Sequence, residues 1–264
     1  MSQKRRAAVF DPLGDGRAQI TTLAHDYCAG HVIRLHFHAR DQLVYASRGV
    51  MTVRTSAGAW VVPTHRAVWI PAAIPHTITM SGTVAMRTLY LKARLARNLP
   101  RDCCVVNVPA LLKDLILLAC TLGALDKTIK QQGHLIDVII DQMEGIQMVA
   151  LQLPNPTDPR ALRVAALLFA DPSDRRPLAH ICKSSGASKR TVERLFLEDV
   201  GMTFGKWRQQ LRLMQAMRLL AEGAKITHAA LESGYSTPSA FISMFRKSLG
   251  TTPASYFRTE AKGK

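Results

Sequence analysis

At 264 residues with 47% hydrophobic content the chain is long enough for more than one buried core, and its apolar runs, such as Leu115–Cys120, are far short of the roughly 20 residues that span a bilayer. Five cysteines, adjacent only at Cys103 and Cys104 and nowhere in a CxxC spacing, argue against a disulfide framework and a zinc finger. The net charge of +16 is unevenly spread, with 13 Lys/Arg against 4 Asp/Glu in residues 1–99, 4 against 7 in 100–158 and 18 against 8 in 159–264, and basic ends of this kind point to a polyanionic partner.

The leading Gln3–Arg6 reads as a basic tail, and no charged leader with an apolar stretch and cleavage site opens the chain, so a cytoplasmic protein without a membrane partner is expected. From Gly30 to Lys92 short alternating runs ("HVIRLHFH", "QLVYA", "VMTVRT", "WVVP", "RAVWIP", "HTITM", "VAMRTLYL") are punctuated by "SRG", "SAGA", "PAAIP" and "SGT". Such spacing predicts a β-barrel or sandwich, assigned here to residues 1–108. In a strand, His36 and His38 share a side with Val32 and Arg34, opposite Ile33, Leu35 and Phe37. The run from Gly30 through His36, His38 and Gln42 to Gly49 resembles the first motif of cupins, with glutamine where metal-binding members carry glutamate; His76 stands where the second motif supplies another histidine. That resemblance implies a barrel whose His36, His38 and His76 could hold a divalent transition metal.

Three uses of such a pocket compete. It could be a metal-dependent cupin enzyme (dioxygenase or isomerase) fused to another module, a metal that helps to hold an effector, or a metal-free pocket needing no cofactor. In the last, Arg34, His36, His38, Gln42, Tyr45, Trp69 and His76 offer hydrogen bonds and aromatic faces to a small-molecule effector. Histidines serving only the fold are the plain alternative.

From Pro109 the period lengthens: Leu111, Leu112, Leu115, Ile116, Ala119 and Leu122, then Ile136, Ile139, Ile140 and Met143, recur at three- and four-residue spacings. This predicts a helical hairpin over 109–153, with Leu111, Leu112, Leu115 and Leu122 as a candidate homodimer face. "LPNPTDPR", with its prolines, cannot continue a helix and marks a linker at 154–160.

Residues 161–258 contain a repeat: Phe196, Gly201, Thr203 and Trp207 recur 49 residues later as Phe245, Gly250, Thr252 and Tyr256, and Gly186 is answered by Gly234. Each copy has the parts of a helix-turn-helix, at about 178–199 and 226–249. Ser188 and Thr237–Pro238 are placed to cap the second helices. Burial of Val192, Leu195 and Phe196 would leave Lys189, Arg190, Glu193 and Arg194 outward; burial of Phe241, Met244, Phe245 and Leu249 would do the same for Pro238, Ser239, Ile242, Ser243 and Arg246. The helix between the copies, Thr203–Leu220, would be about 27 Å long, close to the roughly 34 Å between successive major grooves on one side of B-DNA.

"GASKRTVERLF", "GMTFGKWRQQLRL" and "GYSTPSAFISMFRKSLGTTPASYF" closely resemble the DNA-binding domain of AraC/XylS-type transcriptional regulators. "HFHARDQLVYASRGVMTVRT", "GAWVVPTHRAVWIP" and "MRTLYL" are similar to the cupin-like sensors of one of their subgroups. The resemblance implies a non-enzymatic, effector-responsive regulator, an activator or repressor that binds promoter DNA as a homodimer, with RNA polymerase as a further partner. Base contacts would fall to Arg190, Glu193 and Arg194 and to Pro238, Ser239 and Ser243, with Thr237 at the second helix start and Arg246 and Lys247 on phosphates. The fold class expected is therefore two domains: an N-terminal cupin-like β-barrel with a helical hairpin, and a C-terminal all-α double helix-turn-helix.

Overall fold

A computed structural model describes residues 8–9, 16–145, 148–149 and 152–261; the basic tail at Gln3–Arg6 lies outside them. The chain divides into two compact units, Met1–Ser56 with Trp60–Gln152, and Ala57–Ala59 with Leu153–Lys264.

The first unit is sheet-rich and cupin-like. In chain order it holds β1 (Ala8–Val9), β2 (Ile20–Tyr27), β3 (Val32–Phe37), β4 (Asp41–Thr55), β5 (Gly58–Val62), β6 (Arg66–Ile70), β7 (His76–Leu91), β8 (Cys104–Asn107), α1 (Ala110–Leu122), β9 (Ala124–Leu125), α2 (Lys130–Glu144) and β10 (Met148–Val149). β7 is the hub, pairing antiparallel with β2, β3 and β4; β6 then lies on β4 and β8 on β6.

Two of the expected turns are not turns. "SRG" sits inside the 15-residue β4 and "SGT" inside the 16-residue β7, where the paired strands stay in contact through register shifts around Arg48. Gly49, at φ 81°, makes this possible, because a Cβ there would run into the Thr83 carbonyl and Val84. Strands β2 and β8 lay outside the alternating runs read from the sequence.

Alternation along the strands gives the sheet two different faces. Leu43, Tyr45, Ala67, Trp69, Leu89 and Leu91 turn outward and pack with Leu112, Ile116 and Ala119 of α1 and Ile136, Ile139 and Met143 of α2. The hairpin thus covers the barrel, and Leu112, at 0% exposure, belongs to that core and not to a dimer face. Leu111, Leu118 and Leu122 remain exposed on the opposite side of α1.

The second unit contains β11 (Gln152–Pro154), α3 (Pro159–Ala170), α4 (Leu178–Ile181) with a 3-10 turn at Cys182–Ser184, α5 (Lys189–Val200), α6 (Phe204–Ala221), α7 (Ile226–Glu232), α8 (Pro238–Leu249) and α9 (Pro253–Ala261). The 49-residue repeat is structural at every position. Phe196 and Phe245 are fully buried, and Gly201 and Gly250 end their helices with φ of 70° and 79°. Thr203 and Thr252 accept backbone N–H bonds three residues on, from Lys206 and Ser255. Trp207 lies 5.1 Å from Phe196 and Tyr256 5.7 Å from Phe245, ring centre to ring centre. The joint is tied down by the Trp207 indole N–H, which donates to the Pro154 carbonyl at 2.8 Å, and by Thr157, whose N–H and hydroxyl both donate to Asp199.

Candidate DNA interface and sensor cavity

In the first helix-turn-helix, Gly186 takes φ 72° and Ser188 accepts from the Thr191 N–H to start α5. Val192, Leu195 and Phe196 are buried, which turns Lys189, Arg190, Glu193 and Arg194 to the exposed face. Two i,i+4 pairs brace that face, Lys189–Glu193 at 3.7 Å and Arg194–Glu198 at 2.6 Å. In the second, Gly234 turns the chain at φ 82°, and Thr237 caps α8 by accepting from the Ala240 N–H. Its hydroxyl is committed to the helix, while Ser239, Ser243, Arg246 and Lys247 are exposed and Pro238 is half-buried.

The two copies are joined by α6, which carries arginines that do not face solvent fully. Arg212 donates to the Asp174 carbonyl and Arg208 to the carbonyls of Asp174 and Arg176. The Asp174 carboxylate, only 5% exposed, accepts from the backbone and guanidinium of Arg176, and those bonds hold its pKa below the usual carboxylate range. Arg175 reaches across to the Tyr235 carbonyl in the second turn. The segment before the first helix-turn-helix is therefore bonded both to the connecting helix and to the turn of the second.

The barrel cavity measures about 340 Å³ and is lined by Tyr27, His31, Arg34, His36, Gln42 and Tyr90, with Leu23, Ile33, Leu35, Ile78 and Met86 as its apolar wall. Residues of both parities from β3 reach it because the β3–β7 register shifts between Ile33 and His36. Simple alternation is broken there: Val32 and Leu35 are both exposed, and Arg34 is an exposed residue at the cavity wall, not an inward one.

His36 and His76 are cross-strand partners, and His38 follows β3 directly. Their ring centres stand 4.3 to 5.3 Å apart, and one ring nitrogen from each lies within 4.8 Å of the others. Local backbone sets the tautomers: Nδ1 of His36 donates to the Arg34 carbonyl at 2.7 Å and Nδ1 of His76 to the Ile74 carbonyl at 2.9 Å, so each Nε2 carries a lone pair. Burial lowers the pKa of His36 and drives that of His76 down to about 4, so both are neutral at pH 7. Gln42 sits opposite Tyr90, donates to its phenol, and keeps its own carbonyl oxygen buried without a hydrogen-bond partner among the described residues, as does Nε2 of His76.

Four of the expected pocket residues do not line the cavity: His38 and His76 are buried beside His36, and Tyr45 and Trp69 are elsewhere. Tyr45 and Trp69 lie on the outward face, in the core under the helical hairpin. Tyr45 is three positions from Gln42, an odd step that places it on the other side of the strand, and Trp69 pairs with Leu43, an outward residue. The aromatic groups that do reach the cavity are Tyr27, His31 and Tyr90, with Tyr27 and His31 stacked at 4.7 Å. The alternation Leu23, His25, Tyr27 was the sequence signal for the first of these.

A family model for an AraC-like ligand binding domain matches residues 21–136, and one for a helix-turn-helix domain matches residues 181–259. The chain is an AraC-type transcriptional regulator. Among similar proteins, the HTH-type transcriptional regulator NimR of Escherichia coli is 29% identical over 84% of this chain and 81% of its own length. RipA of Corynebacterium diphtheriae is 36% identical over 39% of this chain and 31% of its own length. ToxT of Vibrio cholerae, solved with an unsaturated fatty acid bound, aligns with 90% of this chain and 94% of its own at 15% identity and a TM-score of 0.38. This AraC-type chain thus joins a ligand-binding domain to a DNA-binding one, and among its described residues no helix is long and apolar enough to cross a membrane.

Proposed function

We propose that the barrel cavity is the effector site of a cytoplasmic homodimeric regulator, and that its occupant presents hydrogen-bond donors or a cation to a cluster of acceptors. The observation that supports this is the place of His36 and Gln42 on the cavity wall, with His76 packed behind His36 at 4.3 Å between ring centres, and with no described hydrogen-bond partner for Oε1 of Gln42 or Nε2 of His76. Buried acceptors left in this state cost free energy until a ligand satisfies them.

The donor set, three imidazoles with an amide oxygen beside them, fits a divalent transition metal held by His36, His38 and His76. Such an ion would supply an electrophilic anchor for an effector's donor atom. In this reading the pocket binds its occupant and does not turn it over; glutamine at position 42 in place of a carboxylate removes one group that could move a proton. Bases would be read by Arg190, Glu193 and Arg194 in the first unit and by Ser239 and Ser243 in the second, with Arg246 and Lys247 on phosphates. Effector binding must favour one pairing or orientation of these helices over another, and so alter contact with promoter DNA and RNA polymerase.

The test is a footprint and gel-shift series on the DNA upstream of the gene, with metal analysis, using the full chain and the His36→Ala/His38→Ala variant. Retained DNA binding with a lost response to the effector supports the sensor. A substrate turned over by the parent chain and not by the variant would replace it with the enzyme reading.

A further inference from the structure

A second cavity of about 710 Å³ opens on the outside of the barrel, between the end of β6 and the loop that follows β7. Its floor is apolar, made by Trp69, Pro71, Ala96, Leu99 and Pro100, and three arginines stand around it: Arg94, Arg97 and Arg101. None of the three guanidiniums is in an ion pair among the described residues. Asp41, which also borders the cavity, makes no ion pair with them among the described residues; its carboxylate accepts the backbone N–H groups of Ala72 at 2.8 Å and Arg94 at 3.1 Å, so one negative charge stands against three positive ones.

The surrounding chain is fixed in place. The Trp69 indole donates to the Pro100 carbonyl at 2.9 Å, and Asn98 is clamped by the Glu144 carboxylate of α2 through both its backbone and its side chain. Among the described residues, Ala73 and Arg94 alone are non-glycine residues at positive φ, both at 65°, and both lie in the segments that Asp41 ties together. Backbone of this kind persists only where its surroundings hold it. The site is also wired to the barrel, since the Ala73 N–H donates to the carbonyl of His38.

The excess of positive charge left around an apolar hollow favours an anion seated among the guanidiniums. Guanidinium forks suit a carboxylate, and the floor suits an aryl or alkyl body; a polyanion such as DNA would need neither the hollow nor the tryptophan. We propose that this cavity is a second small-molecule site, separate from the histidine-lined one, for an amphipathic organic carboxylate.

Calorimetric titration of the full chain with 4-phenylbutyrate and decanoate tests it. Expected is saturable binding that is at least tenfold weaker for neutral 4-phenylbutanol, undetectable for inorganic phosphate, and at least tenfold weaker in Arg94→Gln/Arg97→Gln/Arg101→Gln. Arg97→Gln/Arg101→Gln serves if the triple variant does not fold, and should show an intermediate loss. His36→Ala/His38→Ala should bind both acids as the parent does. Equal affinity for the alcohol, binding indifferent to the arginines, loss in the histidine variant instead, or no saturable binding of either acid would each overturn the assignment.

Discussion

Arg194 is held by Glu198 at 2.6 Å on a face where both side chains are more than half exposed. An exposed i,i+4 pair is worth about 0.3–0.5 kcal/mol, whereas a bidentate contact to guanine discriminates by about 1–3 kcal/mol, so the exchange from Glu198 to a base edge is favourable. Arg194→Ala is therefore expected to weaken cognate binding by about 1–3 kcal/mol and leave binding to scrambled DNA almost unchanged, as read by fluorescence anisotropy. Equal losses on both duplexes would move Arg194 to a phosphate. Arg246, at the other end of its own helix, should behave in the opposite manner: Arg246→Ala lowers affinity for all sequences and reduces the salt slope by about 1. These outward residues were legible because a helix with Val192, Leu195 and Phe196 buried has only one other side. Tyr45 and Trp69 lie outside the pocket because strand parity, not aromatic type, decides which face a side chain takes.

At the scale of elements, the repeat was the most legible feature because each recurring residue performs a local physical task, whether cap, turn or core filling. Its two turn and cap glycines nevertheless differ in what surrounds them. A Cβ at Gly234 would meet the Arg212 guanidinium at 2.8 Å, while nothing lies within 4 Å of one at Gly201, and both have positive φ. Gly201→Ala should then cost only the left-handed penalty of about 1–2 kcal/mol, and Gly234→Ala more, since Arg212 must also leave the Asp174 carbonyl. Thermal melts of the two variants give the order directly. Asp174 adds a pH dependence of known sign. Its carboxyl is held below the usual range by Arg176, so its contribution is complete above the ordinary carboxylate pKa and is lost as acidification carries it through the lower folded value. Denaturant midpoints should fall on acidification below about pH 4 more steeply in the parent than in Asp174→Asn. The strands were less legible than the helices, since Gly49 reads as a turn residue and only the opposing Thr83–Val84 backbone shows that it is a bulge.

At the scale of the whole molecule, the two-part fold class was written in the change from two-residue to three- and four-residue periodicity, because a sheet and a helix must each turn an apolar face to a core. Periodicity does not say which apolar residues a partner covers, and α1 shows why. Leu112, Ile116 and Ala119 are spent on the barrel, and the sequence run continues past them onto the other side of the helix. There Leu111, Leu118 and Leu122 follow one another at spacings of seven and four, the seam of a helix that packs against another, while Leu115 between them is half-buried against the core. Leu111, Leu118 and Leu122 are 53%, 48% and 47% exposed, and Val138 of α2 is also exposed. A second copy of the chain placing its own α1 on this stripe would bury all of them in one isologous contact. Leu111→Glu/Leu118→Glu should therefore convert the sedimenting species from dimer to monomer while leaving the melting of each unit in place, because neither side chain supports the barrel. Binding to a two-half-site operator should weaken in the same variant far more than binding to a single half-site. A variant that sediments as the parent does would remove α1 from the interface and leave the exposed leucines without a role in pairing.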